Sequence, residues 1–216
     1  VAEEDEGGKG FNVICWIVNF NNCSRGFTRL VDWLRAADIH VAVLDNGSTW
    51  EPLLRYYETS GLQIIQTQRN LGPYAFWSLG LYESGERFIL TDPDVVPSAD
   101  CPKDIVERMS LMLDKRYSKV GPSLRIDNLP DCYPDKEKVI AWEQQWWLNP
   151  VEDGYRASID TTFAMYAPET LPRTWDNHLR LAPPYSFEHV PWYEGTEANA
   201  EREFYNAAKN KEWTNW

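Results

Sequence analysis

Arg87-Phe88-Ile89-Leu90-Thr91-Asp92-Pro93-Asp94 is the stretch on which the reading of this chain turns. A short apolar run that stops on two carboxylates, one residue apart, reads as a strand over Arg87 to Thr91 whose end either makes a plain Asp-Pro turn or serves a ligand. Upstream, the residues alternate between two periodicities. Asn12 to Val18, Ile39 to Leu44 and Leu62 to Gln66 are compact apolar runs that predict strands. Between them, Phe27, Leu30, Val31 and Leu34 recur at helical spacing, and Glu51 to Glu58 and Pro73 to Tyr82 predict two further helices. Strands separated by helices need crossover connections, so the expectation is an α/β fold with a mainly parallel sheet covered on both faces. In such sheets ligands bind outside the carboxyl ends of the strands, which is where Asp92 and Asp94 fall.

Downstream the pattern loosens. A helix is expected from Lys103 to about Lys115 and a strand near Val120 to Ile126, then a polar loop through Asp135 and a Trp-rich segment, Ala141 to Leu148. Asp160 to Tyr166 reads as a strand. Leu181 to Tyr193 reads as a structured loop, because Pro183, Pro184 and Pro191 oppose regular pairing. A charged helix around Glu197 to Lys209 and an aromatic segment, Trp213 to Trp216, follow.

Composition narrows the function classes. The 216 residues carry a formal net charge of -12, which argues against a duplex nucleic-acid binder or a protein held on anionic lipid. No apolar run approaches the roughly 20 residues of a membrane-spanning helix. Residues 1–10 are acidic and contain glycine; they read as a flexible lead-in to one domain over 11–216. The four cysteines show neither a CxxC pair nor clustering with the three histidines, so reduced thiols in a cytoplasmic protein are expected. Eleven Trp and eleven Tyr exceed what a core needs, and Trp146, Trp147, Trp192 and Tyr193 have the flat faces that suit a sugar ring.

The chemistry concentrates at strand ends. Asp92 and Asp94 suit a hard divalent cation, Mn2+ or Mg2+, whose remaining positions diphosphate oxygens can fill. Asp45-Asn46-Gly47-Ser48 follows the second strand, and Arg69-Asn70-Leu71-Gly72-Pro73 follows the third. Pro73 favours the first position of a helix, so a helix N-terminus beside Arg69 would suit a diphosphate.

With Val18-Asn19-Phe20-Asn21 at the end of the first strand, these motifs in this order resemble the GT-A fold glycosyltransferases, in particular the family 2-like group, from about Asn12 to Tyr193. The resemblance implies a GT-A (Rossmann-like) α/β/α sandwich, with a nucleotide-sugar-binding half over 11–100 and an acceptor-side half over 101–216. It implies that Asn19 and Phe20 line a nucleoside pocket and that Asp45 contacts the base. Arg69, Asn70 and Gly72 would lie near ribose or phosphate, Asp92 near ribose and metal, and Asp94 on the metal. The family's usual acceptor-side Glu-Asp pair is missing from its setting, and Glu188-His189 stands in the comparable place. His189 is therefore the candidate third metal ligand, Asp160 the first choice of general base and Glu188 the second, with Trp192 and Tyr193 facing the acceptor. The implied partners are a nucleotide-sugar, a UDP-sugar by default, and a glycan or other hydroxyl acceptor. His40, at a strand start, and His178, in a polar loop, are assigned no role.

Other classes fit less well. Asp92-Pro93-Asp94-Val95-Val96 also matches the motif of aspartate-nucleophile phosphatases, but that motif belongs on a first strand and here follows the fourth. Asn21 to Gly26 lacks the GxGxxG of a dinucleotide-dependent oxidoreductase. A non-catalytic carbohydrate-binding module would use the aromatics and leave the carboxylate pair without a purpose.

Overall fold

The computed structural model describes residues 13–115, 117–172, 177–195 and 199–209. The lead-in, the start of the first strand at Asn12, the start of the last helix and the aromatic tail lie outside them. The first half follows the alternation. Strand β1 (Ile14–Asn19) leads to helix α1 (Phe27–Ala36), β2 (His40–Asp45) to α2 (Glu51–Ser60), and β3 (Gln63–Gln66) to a short α3 (Ala75–Ser78) before β4 (Phe88–Thr91). These four strands form a parallel core in the order β3-β2-β1-β4.

The helix expected over Pro73 to Tyr82 is not continuous. Four residues of α3 are followed by a 3-10 turn, Leu81–Ser84, because Gly80 between them adopts a left-handed conformation, φ 69°, that no α-helix accommodates.

The second half departs further. β5 (Val95–Pro97), α4 (Ile105–Lys115) and β6 (Lys119–Leu124) come first; α5 (Lys136–Gln144) then starts where the expected loop ends and runs into the Trp-rich segment. The hairpin β7 (Pro150–Val151) and β8 (Gly154–Arg156) is followed by β9, which covers only Ala164–Tyr166 of the strand expected from Asp160. β10 (His178–His189) is the clearest correction, since a loop was expected from Leu181. Its pairing with β6 jumps from Leu181 to Ser186, so Pro183 and Pro184 sit in a bulge and never have to donate to the ladder, while Pro191 lies beyond the strand in a 3-10 turn, Val190–Tyr193. Helix α6 is Ala200–Ala208.

All ten strands join one sheet, ordered β3-β2-β1-β4-β9-β6-β10-β8-β7, with β5 also on β10. The sheet is mixed rather than mainly parallel, because β9 runs antiparallel to both β4 and β6.

Strand parity builds two cores. Cys15, Ile17, Val41, Val43, Ile89 and Met165 face α1, α2, α4 and α5, while Trp16, Ala42, Leu44, Phe88, Leu90 and Tyr166 face α3. Phe27, Leu30, Val31 and Leu34 of α1 are fully buried, each worth roughly 2 kcal/mol of apolar burial. Among the described residues no helix is long and apolar enough to cross a membrane.

Candidate functional site

The carboxylate pair stands at the carboxyl end of β4, in the middle of the sheet. Asp92 and Asp94 are both half-buried. Asp92 accepts a 2.7 Å hydrogen bond from the Thr161 hydroxyl, which ties it to the segment entering β9. Its carboxyl lies well above the usual range, raised first by burial and then by the charges of Asp94 and Asp160.

Asp94 is fixed from two directions. Its carbonyl accepts the Val190 N–H at 2.8 Å, and the loop before α1 lies so close that a Cβ on Gly26 would meet the Asp94 Cα at 2.7 Å. Nε2 of His189 is 3.7 Å from Asp94 Oδ2. Burial pushes the imidazole below its ordinary value in spite of Asp94, so it is neutral at pH 7, and that gap is too long for a hydrogen bond. A neutral ring nitrogen and a carboxylate oxygen that do not satisfy each other form a donor pair suited to a divalent cation. Among the described residues no group of three His, Cys, Asp or Glu is arranged to hold one, so Asp92 does not complete a triad with these two.

The two upstream motifs form one body. The Asn46 amide donates to Asn70 Oδ1 at 2.9 Å and to the Gly72 carbonyl at 3.0 Å, and it accepts the Leu71 N–H. A Cβ on Gly47 would stand 2.7 Å from the Arg69 carbonyl carbon. Arg69 itself is exposed. Asn19 and Asp45 are fully buried and bonded internally: Asp45 accepts from the Ser48 N–H and the Tyr57 hydroxyl, and Asn19 donates to Tyr57 and to the Asn22 carbonyl. α3 has only four residues, too few for the helix N-terminus imagined beside Arg69.

Phe20 packs edge-on against Tyr205 of α6, with ring centroids 6.2 Å apart. Sequence reasoning missed Tyr205. Its hydroxyl is pushed up to about 12, by burial first and then by the charges of Asp94 and Asp92. α6 is anchored by buried Glu201, whose carboxylate accepts the N–H groups of Cys23, Ser24 and Arg25 and the Ser24 hydroxyl.

The candidates of the second half separate. Asp160 is exposed and close enough to Asp92 to raise its pKa. Glu188 alternates with His189 along β10 and turns the other way, towards Asn128 at 3.4 Å, away from the carboxylate pair. Trp192 is 3 % exposed and packs on the His189 ring at 4.7 Å, so it is core rather than a platform for an acceptor. The Tyr193 hydroxyl lies 2.7 Å from Asn128 Oδ1. His178 opens β10, buried, and its Nδ1 accepts the Ile159 N–H at 3.3 Å.

Lys119 is the other residue that sequence reasoning missed. It is 3 % exposed, and its Nζ donates to the carbonyls of Ile159 and Asp160 at 2.9 and 2.7 Å, over the Tyr166 ring. Burial lowers its pKa to about 7, against the pull of Asp160 and Asp92. A lysine whose folded pKa is lowered binds fewer protons folded than unfolded, so stability rises with pH above the folded value. From pH 7 to 8.5 the lysine's own gain is on the order of 1–2 kcal/mol, partly offset by buried thiols that ionise on unfolding in wild type and variant alike. Urea titrations of the wild type and Lys119→Met across that window check it: the variant's stability should lack this rise, and equal slopes would refute the assignment.

Compared with protein-family models and with curated proteins, the chain matches neither a family nor a relative.

Proposed function

We propose that this chain is a metal-dependent glycosyltransferase of the GT-A kind, moving a sugar from a nucleotide-sugar, by default a UDP-sugar, to an acceptor hydroxyl with inversion. The observation that carries this reading is the company of Asp92 and Asp94 at the end of a central strand. Asp160 and Thr161 approach Asp92, and His189 faces Asp94.

In this reading Asp94 and His189 hold Mn2+ or Mg2+, with Asp92 beside them, and the ion supplies charge stabilisation for the departing nucleoside diphosphate. Asp160, exposed at the end of its segment, takes the proton of the acceptor hydroxyl as it attacks the anomeric carbon. Inversion needs one such base and no covalent sugar-enzyme intermediate. Phe20 and Tyr205 offer aromatic faces beside the carboxylates for the nucleoside, and Arg69 an exposed cation near the diphosphate.

Thermal unfolding with Mn2+ and UDP, GDP or dTDP tests the reading, since a ligand that binds only the folded state raises its stability. One nucleotide is expected to raise the midpoint by on the order of 5 °C, only with metal and not in Asp94→Asn. No shift with any nucleotide at saturating metal would remove the reading.

A further inference from the structure

The segment 158–163 crosses the sheet face without joining it, and three buried basic side chains hold it there. Lys119, His178 and Arg180 are 3 %, 3 % and 4 % exposed. His178 pairs with Lys119 across β10 and β6, and Arg180 lies two residues on, so all three project to one face of the sheet. Each engages the segment's backbone in turn. Arg180 Nε donates to the Ser158 carbonyl at 2.8 Å, His178 Nδ1 accepts the Ile159 N–H, and Lys119 donates to the carbonyls of Ile159 and Asp160. Beyond them, Gly121 presents no side chain where the Phe163 carbonyl passes. Between these contacts the Thr161 hydroxyl reaches Asp92.

A buried ammonium needs acceptors whatever its role, and here both are carbonyls of the segment that carries Asp160 and Thr161. Lys119 is the last of the three contacts before the site, one residue from Thr161, and its two bonds set where Asp160 and Thr161 stand relative to Asp92. We propose that Lys119 is a positioning residue that sets the Asp160-Thr161 arm against Asp92 by gripping the carbonyls of Ile159 and Asp160. The inference deepens the transferase reading and rests on it for its kinetic consequence. A base displaced by about 1 Å loses on the order of a hundredfold in rate while the donor site is left alone.

UDP release from UDP-glucose, UDP-galactose and UDP-N-acetylglucosamine with Mn2+ is to be measured on the wild type, Lys119→Met, Lys119→Arg and Thr161→Val. With whichever donor the wild type turns over, Lys119→Met is expected to lower kcat ten- to a hundredfold with KM for the donor within about twofold. Lys119→Arg, which can still reach two carbonyls, restores part of it. Thr161→Val keeps the core intact and lowers kcat in the same direction, so the inference survives a Lys119→Met that does not fold. An unchanged kcat in Lys119→Met or in Thr161→Val, or a loss confined to KM, overturns the role.

A wild type that releases no UDP from any of the three donors counts against the transferase reading alone. The positioning inference is then decided by the carboxyl-13C resonances of labelled aspartate. Those of Asp92 and Asp160 should shift in Lys119→Met and move back in Lys119→Arg, and unmoved resonances overturn it.

Discussion

Glu143→Ala is expected to lower the unfolding free energy by about 3–5 kcal/mol, the cost of leaving a buried charge without its partner. Glu143, on α5, accepts a hydrogen bond from Arg180 Nη1 at 2.8 Å, and both side chains are 5 % exposed. Burial dominates on each side: it raises the Glu143 carboxyl despite Arg180 and lowers the Arg180 guanidinium despite Glu143. A pair in which desolvation outweighs attraction on both partners adds little net stability while intact, yet is expensive to break singly. Glu143→Leu combined with Arg180→Met should accordingly be more stable than Glu143→Leu alone, although it releases the Ser158 carbonyl. Chemical denaturation of the three variants measures this. A cost below about 1 kcal/mol for Glu143→Ala would mean that water reaches the pair.

Gly121→Ala should cost roughly 3 kcal/mol, the upper end of the overpacking range. The added methyl would stand 2.5 Å from the Phe163 carbonyl oxygen and 3.1 Å from the Ala164 Cβ. The first contact is with backbone, so no side-chain rotation relieves it. The segment from Asp160 to Phe163 has to lift, carrying Thr161 off Asp92. Loss of stability should therefore come with a fall in the transferase activity proposed above. A Gly121→Ala protein with wild-type stability would show that the segment slides aside freely.

The parts of the fold legible in the sequence are those where burial and periodicity agree. Phe27, Leu30, Val31 and Leu34 mark one helix face, and the parity of Cys15 and Ile17 against Trp16 marks a strand covered on both sides. The place of Asp92 and Asp94 at a strand end was legible because the apolar run through Leu90 stops just before them. β10 was hidden by Pro183 and Pro184, whose harm to pairing is absorbed by a bulge that local pattern does not reveal. Lys119, Glu143 and Arg180 were hidden because charged residues read as surface, and their partners lie 22 to 41 positions away in the chain. No spacing rule connects residues so far apart. Asn19 and Asp45 show the reverse case, in which motif residues at the right strand ends have their side chains bonded within the fold.

Glu201 completes the loop beside Asp94 from 178 positions downstream of Cys23. A chain made from its N-terminus has β1, β2 and β4 outside the ribosome well before residue 201 is added, so three backbone N–H groups of that loop wait for their acceptor. Without α6 the Phe20 ring lacks the Tyr205 edge and the N–H groups of Cys23, Ser24 and Arg25 lack the Glu201 carboxylate. The loop beside Asp94 and a helix 178 positions away therefore close the site together, and its shape depends on the docking of that helix.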